Sequence, residues 1–151
     1  MNQELVIANE IDIDAPAIVV WNVLTNPQQT KKYMFGCEAT SDWKIGSSLE
    51  WIGHYEGEDI VFVKGKIVDL VPCRLLSYTT LDPQGGIEDI PDNYLTVTYE
   101  LTEEGGQTHL KISQGDYSLV ADGEKRYNDS LHGGGWSTIL LEIKKMIEGE
   151  G

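Results

Sequence analysis

Three histidines, two cysteines, a glycine triplet and thirteen aromatic side chains (4 Trp, 7 Tyr, 2 Phe) are the groups in this chain able to do chemistry. His54, His109 and His132 are far apart, and none stands at a metal-ligand spacing. His109 falls on the polar side of an alternating run, where a surface role is expected. His54 lies near Glu56, Glu58 and Asp59, the composition of a solvated acidic loop. His132 falls on the apolar stripe of a helical period, which makes it the candidate for proton transfer or for a polar contact with a ligand. Cys37 and Cys73 have no partner motif, and two cysteines are too few for a disulfide scaffold; reduced thiols are expected. Gly133-Gly134-Gly135 is not a phosphate loop, because no lysine follows it and no strand precedes it. No cofactor, no metal and no catalytic residue is assigned.

The aromatic residues say more. Tyr and Trp join a large apolar face to one polar tip, so they suit both the wall of a pocket and an orienting contact. Trp51, Tyr78, Tyr99 and Trp136 fall on elements that would surround a common hollow. With His132, Leu140 and Ile143 they form the candidate ligand-binding set. For each of them, plain core filling is the competing reading.

The elements that must position these groups follow from periodicity. Residues 4–14 alternate: Leu5, Ile7, Ile11 and Ile13 share a face on which Asn9 is the one polar member. Pro16 suits the first turn of a helix running to about Leu24, with an apolar flank of Ile18, Val19, Trp21, Val23 and Leu24. Asn26 and Pro27 suit the cap and first position of a second short helix at 27–33. Strand-like runs then occur at 36–41, 47–55, 60–71, 73–81, 94–102 and 107–115, punctuated by Gly57, Pro72 and Gly105-Gly106. Residues 82–93 hold two prolines and two glycines and read as a rim loop or lid. From 123 to 148 the period is helical, with His132, Trp136, Ile139, Leu140, Ile143 and Ile147 spaced by three and four. The glycine triplet inside that stretch costs about 1 kcal/mol per residue relative to alanine, so the helix starts late, breaks, or is closely approached there.

Strands with one wet and one dry face belong to an antiparallel sheet covered on one side. The C-terminal helix is the one long amphipathic element available to cover it. The expected fold is therefore α+β: a helix-grip, with a curved antiparallel sheet of six to seven strands around a long C-terminal helix and two short helices after the first strand. One domain spans residues 1–151. One helix cannot fill the hollow of a strongly bent sheet, and a cavity of that kind takes a small apolar molecule with a few polar contacts.

The chain has 151 residues, with 11 basic and 25 acidic side chains and a formal charge of −14. That balance argues against nucleic acid and anionic bilayers as partners. No window is long and apolar enough for a membrane span. No secretory signal is read at Met1-Asn2-Gln3-Glu4, and a cytoplasmic protein is expected.

Several stretches together resemble the SRPBCC superfamily (START-like, Bet-v-1-like). They are residues 20–27 (Val-Trp-Asn-Val-Leu-Thr-Asn-Pro), 65–72 ending in Val71-Pro72, Leu75-Leu76-Ser77-Tyr78, the 97–102 strand with Gly105-Gly106, and Gly135-Trp136 followed by Leu140, Ile143 and Ile147. Within it the chain is most similar to the AHSA-like branch, the homologues of the activator of heat-shock-protein-ninety ATPase. The resemblance covers about residues 5 to 148. It implies the helix-grip fold, and single-domain members resemble small-molecule binders with a cavity between sheet and helix. The function expected is binding of a hydrophobic, lipid-like or aromatic molecule, by a monomer or homodimer. The alternatives are an enzyme of the same fold using His132 or a pocket tyrosine on a carbonyl or polyketide-like substrate, and a chaperone-associated stress-response protein.

Overall fold

A computed structural model describes residues 4–83 and 85–149. Met1, Asn2, Gln3, Gln84, Glu150 and Gly151 lie outside the described residues, and with them part of the N-terminal reading and one position of the 82–93 loop. Among the described residues the chain order is β1 (Ile7–Ile13), α1 (Ala17–Thr25), α2 (Pro27–Tyr33), β2 (Glu38–Ser41), β3 (Ser48–Tyr55), β4 (Glu58–Val71), β5 (Leu75–Thr80), β6 (Leu95–Glu104), β7 (Gln107–Gly115), α3 (Gly123–His132) and α4 (Ser137–Glu148). The strands form one antiparallel sheet in the order β1-β7-β6-β5-β4-β3-β2. This is the helix-grip arrangement expected from periodicity, with two short helices after the first strand.

Turn chemistry sets the registers. β6 and β7 pair up to Glu104 and Gln107, leaving Gly105-Gly106 as a two-residue loop with φ of +61° and +80°. Positive φ at both positions is what a tight hairpin with the native strand twist demands. Asn26 caps α2, its Oδ1 accepting the Gln28 amide proton at 2.9 Å, and Pro27 opens the helix. The sequence reading placed both.

The core sits between the sheet and the helices. Ile13, Leu49, Leu76, Tyr99, Leu110 and Ile112 come from the strands, Val20 and Leu24 from α1, and Leu140 and Ile143 from α4. One expectation is corrected here. In α1 the buried residues are Ala17, Val20, Val23 and Leu24, while Ile18 and Val19 are exposed. The segment is apolar nearly all round, so its sequence does not choose the inward face; packing does.

The helical stretch from 123 to 148 breaks at the glycine triplet, one of the outcomes read from the sequence, and is two helices separated by residues 133–136. Asn9 explains the break. Its Oδ1 accepts the Trp136 amide proton at 2.9 Å, and a Cβ on Gly135 would stand 2.6 Å from that same oxygen. Gly135 has φ of +58°, a conformation that glycine adopts without strain. The backbone thus approaches β1 more closely than a continuous helix with side chains would permit.

Candidate functional site

An apolar pocket of about 380 Å³ lies within the curve of the sheet, beside the solid part of the core. Trp51 of β3, Phe62 and Val63 of β4, and Tyr78 of β5 supply one side. Leu95 and Val97 of β6 continue the floor, and Trp136 closes the helix side. Met34 and Phe35, on the turn after α2, form one lip; Phe35 is 89% exposed. Polar groups are few: Thr80, Asp82, Gln114 and Arg126.

A row of aromatic contacts runs from one wall to the other. Trp51 meets Tyr78 with ring centroids 6.2 Å apart. Tyr78 and Tyr99 stand edge to face at 5.5 Å, and Tyr99 meets Trp136 at 6.3 Å. The Tyr78 and Tyr99 hydroxyls share a 2.7 Å hydrogen bond. Burial holds both phenols well above the ordinary tyrosine range, so they stay protonated. The nearby Tyr33 hydroxyl donates to the Val23 carbonyl at 2.9 Å, and its pKa is raised for the same reason. Trp136 Nε1 donates to Gln114 Oε1 at 3.2 Å, which pins the indole against β7.

Of the candidate set, Trp51, Tyr78 and Trp136 line the pocket. Tyr99 is buried behind them and reaches Tyr78 and Trp136 from the core side. Leu140 and Ile143 are buried where α4 packs on the sheet and are not on the pocket wall. His132 ends α3 on an exposed position and does not line the pocket. The physical reason is the break at 133–136, which rotates α3 out of the helical phase that α4 keeps. The version of an enzymatic role that depends on an inward His132 loses its geometry.

The sequence reading missed several wall residues. Val97 and Leu95 were accessible to it, because they alternate with Tyr99 on one strand face. Phe62 was not. Trp51 pairs with Val63 and Ile52 with Val61, so Phe62 is the extra residue of a β-bulge, and no local pattern announces it. The other histidines found carboxylates. His54 stands between Glu38 of β2 and Asp59 of β4 at 2.9 and 2.5 Å, and His109 between Asp12 and Glu10 of β1 at 2.7 and 3.0 Å. Each uses its two ring nitrogens for two different carboxylates. Among the described residues no cluster suited to a metal ion occurs, and Cys37 and Cys73 are unpaired with one another.

Comparison with known proteins agrees with this architecture. Residues 14–148 match the family described as activator of Hsp90 ATPase homolog 1-like protein. The solution structure of ChR145 from Cytophaga hutchinsonii is 32% identical over 99% of this chain and 98% of that one, with a TM-score of 0.75. The Aha1 dimer from Colwellia psychrerythraea is 18% identical over 97% of this chain and 98% of that one, with a TM-score of 0.68. CalU16 from Micromonospora echinospora is 21% identical over 97% of this chain and 76% of that one, also at 0.68. Those last two likenesses show the fold alone. Among curated proteins none matched. A match over nearly the full length, on the strand order and helices described above, means that the chain belongs to the activator of Hsp90 ATPase homolog 1-like family.

Proposed function

We propose that this protein binds a small hydrophobic molecule in the pocket between the sheet and the C-terminal helical region. The observation that carries the reading is the pocket itself. Its volume of about 380 Å³ falls inside the range of roughly 300–1,000 Å³ typical of small-molecule sites. Its wall is mostly aromatic and aliphatic, with polar groups confined to a few positions, as orientation of a ligand requires. The ligand-contacting residues in this reading are Trp51, Tyr78 and Trp136, with Val97 as floor. The protein acts as a carrier or sensor in the cytoplasm, as a monomer or homodimer, and does no chemistry on its guest. Among the described residues no helix is long and apolar enough to cross a membrane.

Two tryptophans on the wall provide the test. Titration with decan-1-ol, decanoate or 2-naphthol should change tryptophan emission saturably and raise the melting temperature. A ligand that binds only the folded form at a hundred times its Kd adds about 2.7 kcal/mol of stability. Val97→Phe, which fills the floor, should abolish both responses while the protein stays folded. No saturable response to any of the three ligands, in the unaltered protein, would overturn the reading.

A further inference from the structure

We infer that the pocket selects a molecule with an anionic head, an aliphatic or aromatic carboxylic acid, and that Arg126 recognises the head. This rests on the reading that the pocket holds a small hydrophobic molecule, and it names that molecule's class.

Arg126 is the one cation on the pocket wall. It stands in the first turn of α3 and is half-buried. Its guanidinium carries five N–H donors. One hydrogen bond is made, from Nη1 to the Ala121 carbonyl at 3.1 Å, and among the described residues it joins no ion pair. The residue is on the pocket wall, and a guanidinium fork matches a carboxylate. The helix that carries it is held in place, because Tyr127 of α3 packs on Tyr117 with centroids 5.9 Å apart.

Gln114 adds a second donor. Its Oε1 is occupied by the Trp136 indole N–H, so the amide's NH₂ end is the one that remains for a ligand. The wall's polar complement is therefore rich in donors. Its one carboxylate, Asp82, is exposed at the rim. The net charge of −14 repels anions at a distance, but that field decays over about 8 Å at physiological salt. At contact, in a half-desolvated site, the guanidinium decides. Lys64 and Lys66 line a second depression near Gly65 and Tyr94, where Lys64 is already taken by Asp89, and Arg74 lines a third.

Three ten-carbon probes separate the possibilities: decanoate, decan-1-ol and decylammonium, titrated at neutral pH against tryptophan emission. Decanoate should bind about tenfold tighter than decan-1-ol, the ratio that one charge-assisted contact supports. Arg126→Gln should weaken decanoate about tenfold, far more than it changes decan-1-ol, so that the acid's preference is lost, and Arg126→Lys should keep part of the preference. If decan-1-ol equals decanoate, or decylammonium exceeds it, the inference is overturned while the pocket reading stands. Should none of the three bind while 2-naphthol does, this inference alone is overturned; should 2-naphthol fail as well, the pocket reading falls with it. Where Arg126→Gln does not fold, the acid-to-alcohol ratio of the unaltered protein and the Arg126→Lys variant decide.

Discussion

Asn9 sits between Ile7 and Ile11 on the inward face of β1, and its side chain does what its neighbours cannot: it accepts the Trp136 amide proton. Removing that acceptor leaves a half-buried donor unpaired. Asn9→Ala should therefore cost about 1–3 kcal/mol in urea unfolding. Gly135→Ala should cost a comparable amount, because its Cβ would meet Asn9 Oδ1 at 2.6 Å and Ile7 Cγ2 at 2.7 Å in a backbone conformation that alanine resists. If either variant unfolds at the same urea concentration as the unaltered protein, this account of the break is wrong. The buried tyrosine pair is a second case. Tyr99→Phe leaves the Tyr78 hydroxyl without its partner in an apolar surround, and about 1–3 kcal/mol should be lost. The double change Tyr78→Phe with Tyr99→Phe should cost less than the sum of the singles, since it strands no hydroxyl. Tyr78 was read from sequence as a wall residue with a polar tip for the ligand. In the structure Tyr78 lines the pocket and its hydroxyl is engaged by Tyr99.

At the level of the elements, the two edge strands of the sheet, β1 and β2, are each tied to a histidine on the neighbouring strand. Hydrogen bonds donated to Glu38 and then to Asp59 raise the His54 pKa, and the bond donated to Asp12, with help from Glu10, raises that of His109. Folding thus favours the charged imidazolium. Its contribution is complete below the unfolded value of about 6.5 and is lost as pH rises through the higher folded value. The urea midpoint should accordingly fall between pH 6 and pH 8.5. His54→Gln and His109→Gln together should flatten that slope; a slope unchanged in the double variant would remove the histidines from the account. Both sites are exposed, so the effect is small. The same scale shows why periodicity reads some elements better than others. β6 and β7 alternate cleanly because one face is wet, whereas α1 is apolar on every side and leaves its orientation to its neighbours.

Across the whole molecule, 25 acidic against 11 basic side chains make the folded state repel itself. Sodium chloride screens that repulsion and also weakens the surface ion pairs, which are worth little individually. The melting temperature should therefore rise by on the order of a few degrees between 10 and 300 mM salt. A fall would mean that the ion pairs outweigh the net charge. What the sequence alone determined was the strands and the order of the elements, the hairpin at Gly105-Gly106, the cap at Asn26 and the acidity of the chain. Those depend on contacts between near neighbours along the chain, which a local pattern records. Tertiary structure decided where Phe62 points, which face of α1 is buried, how Asn9 splits the C-terminal helix from 127 residues away, and that Arg126, not His132, reaches the pocket. Each of those outcomes follows from steric and hydrogen-bonding demands between segments distant in sequence, and such demands exist only once the sheet has curved and the helices have docked on it.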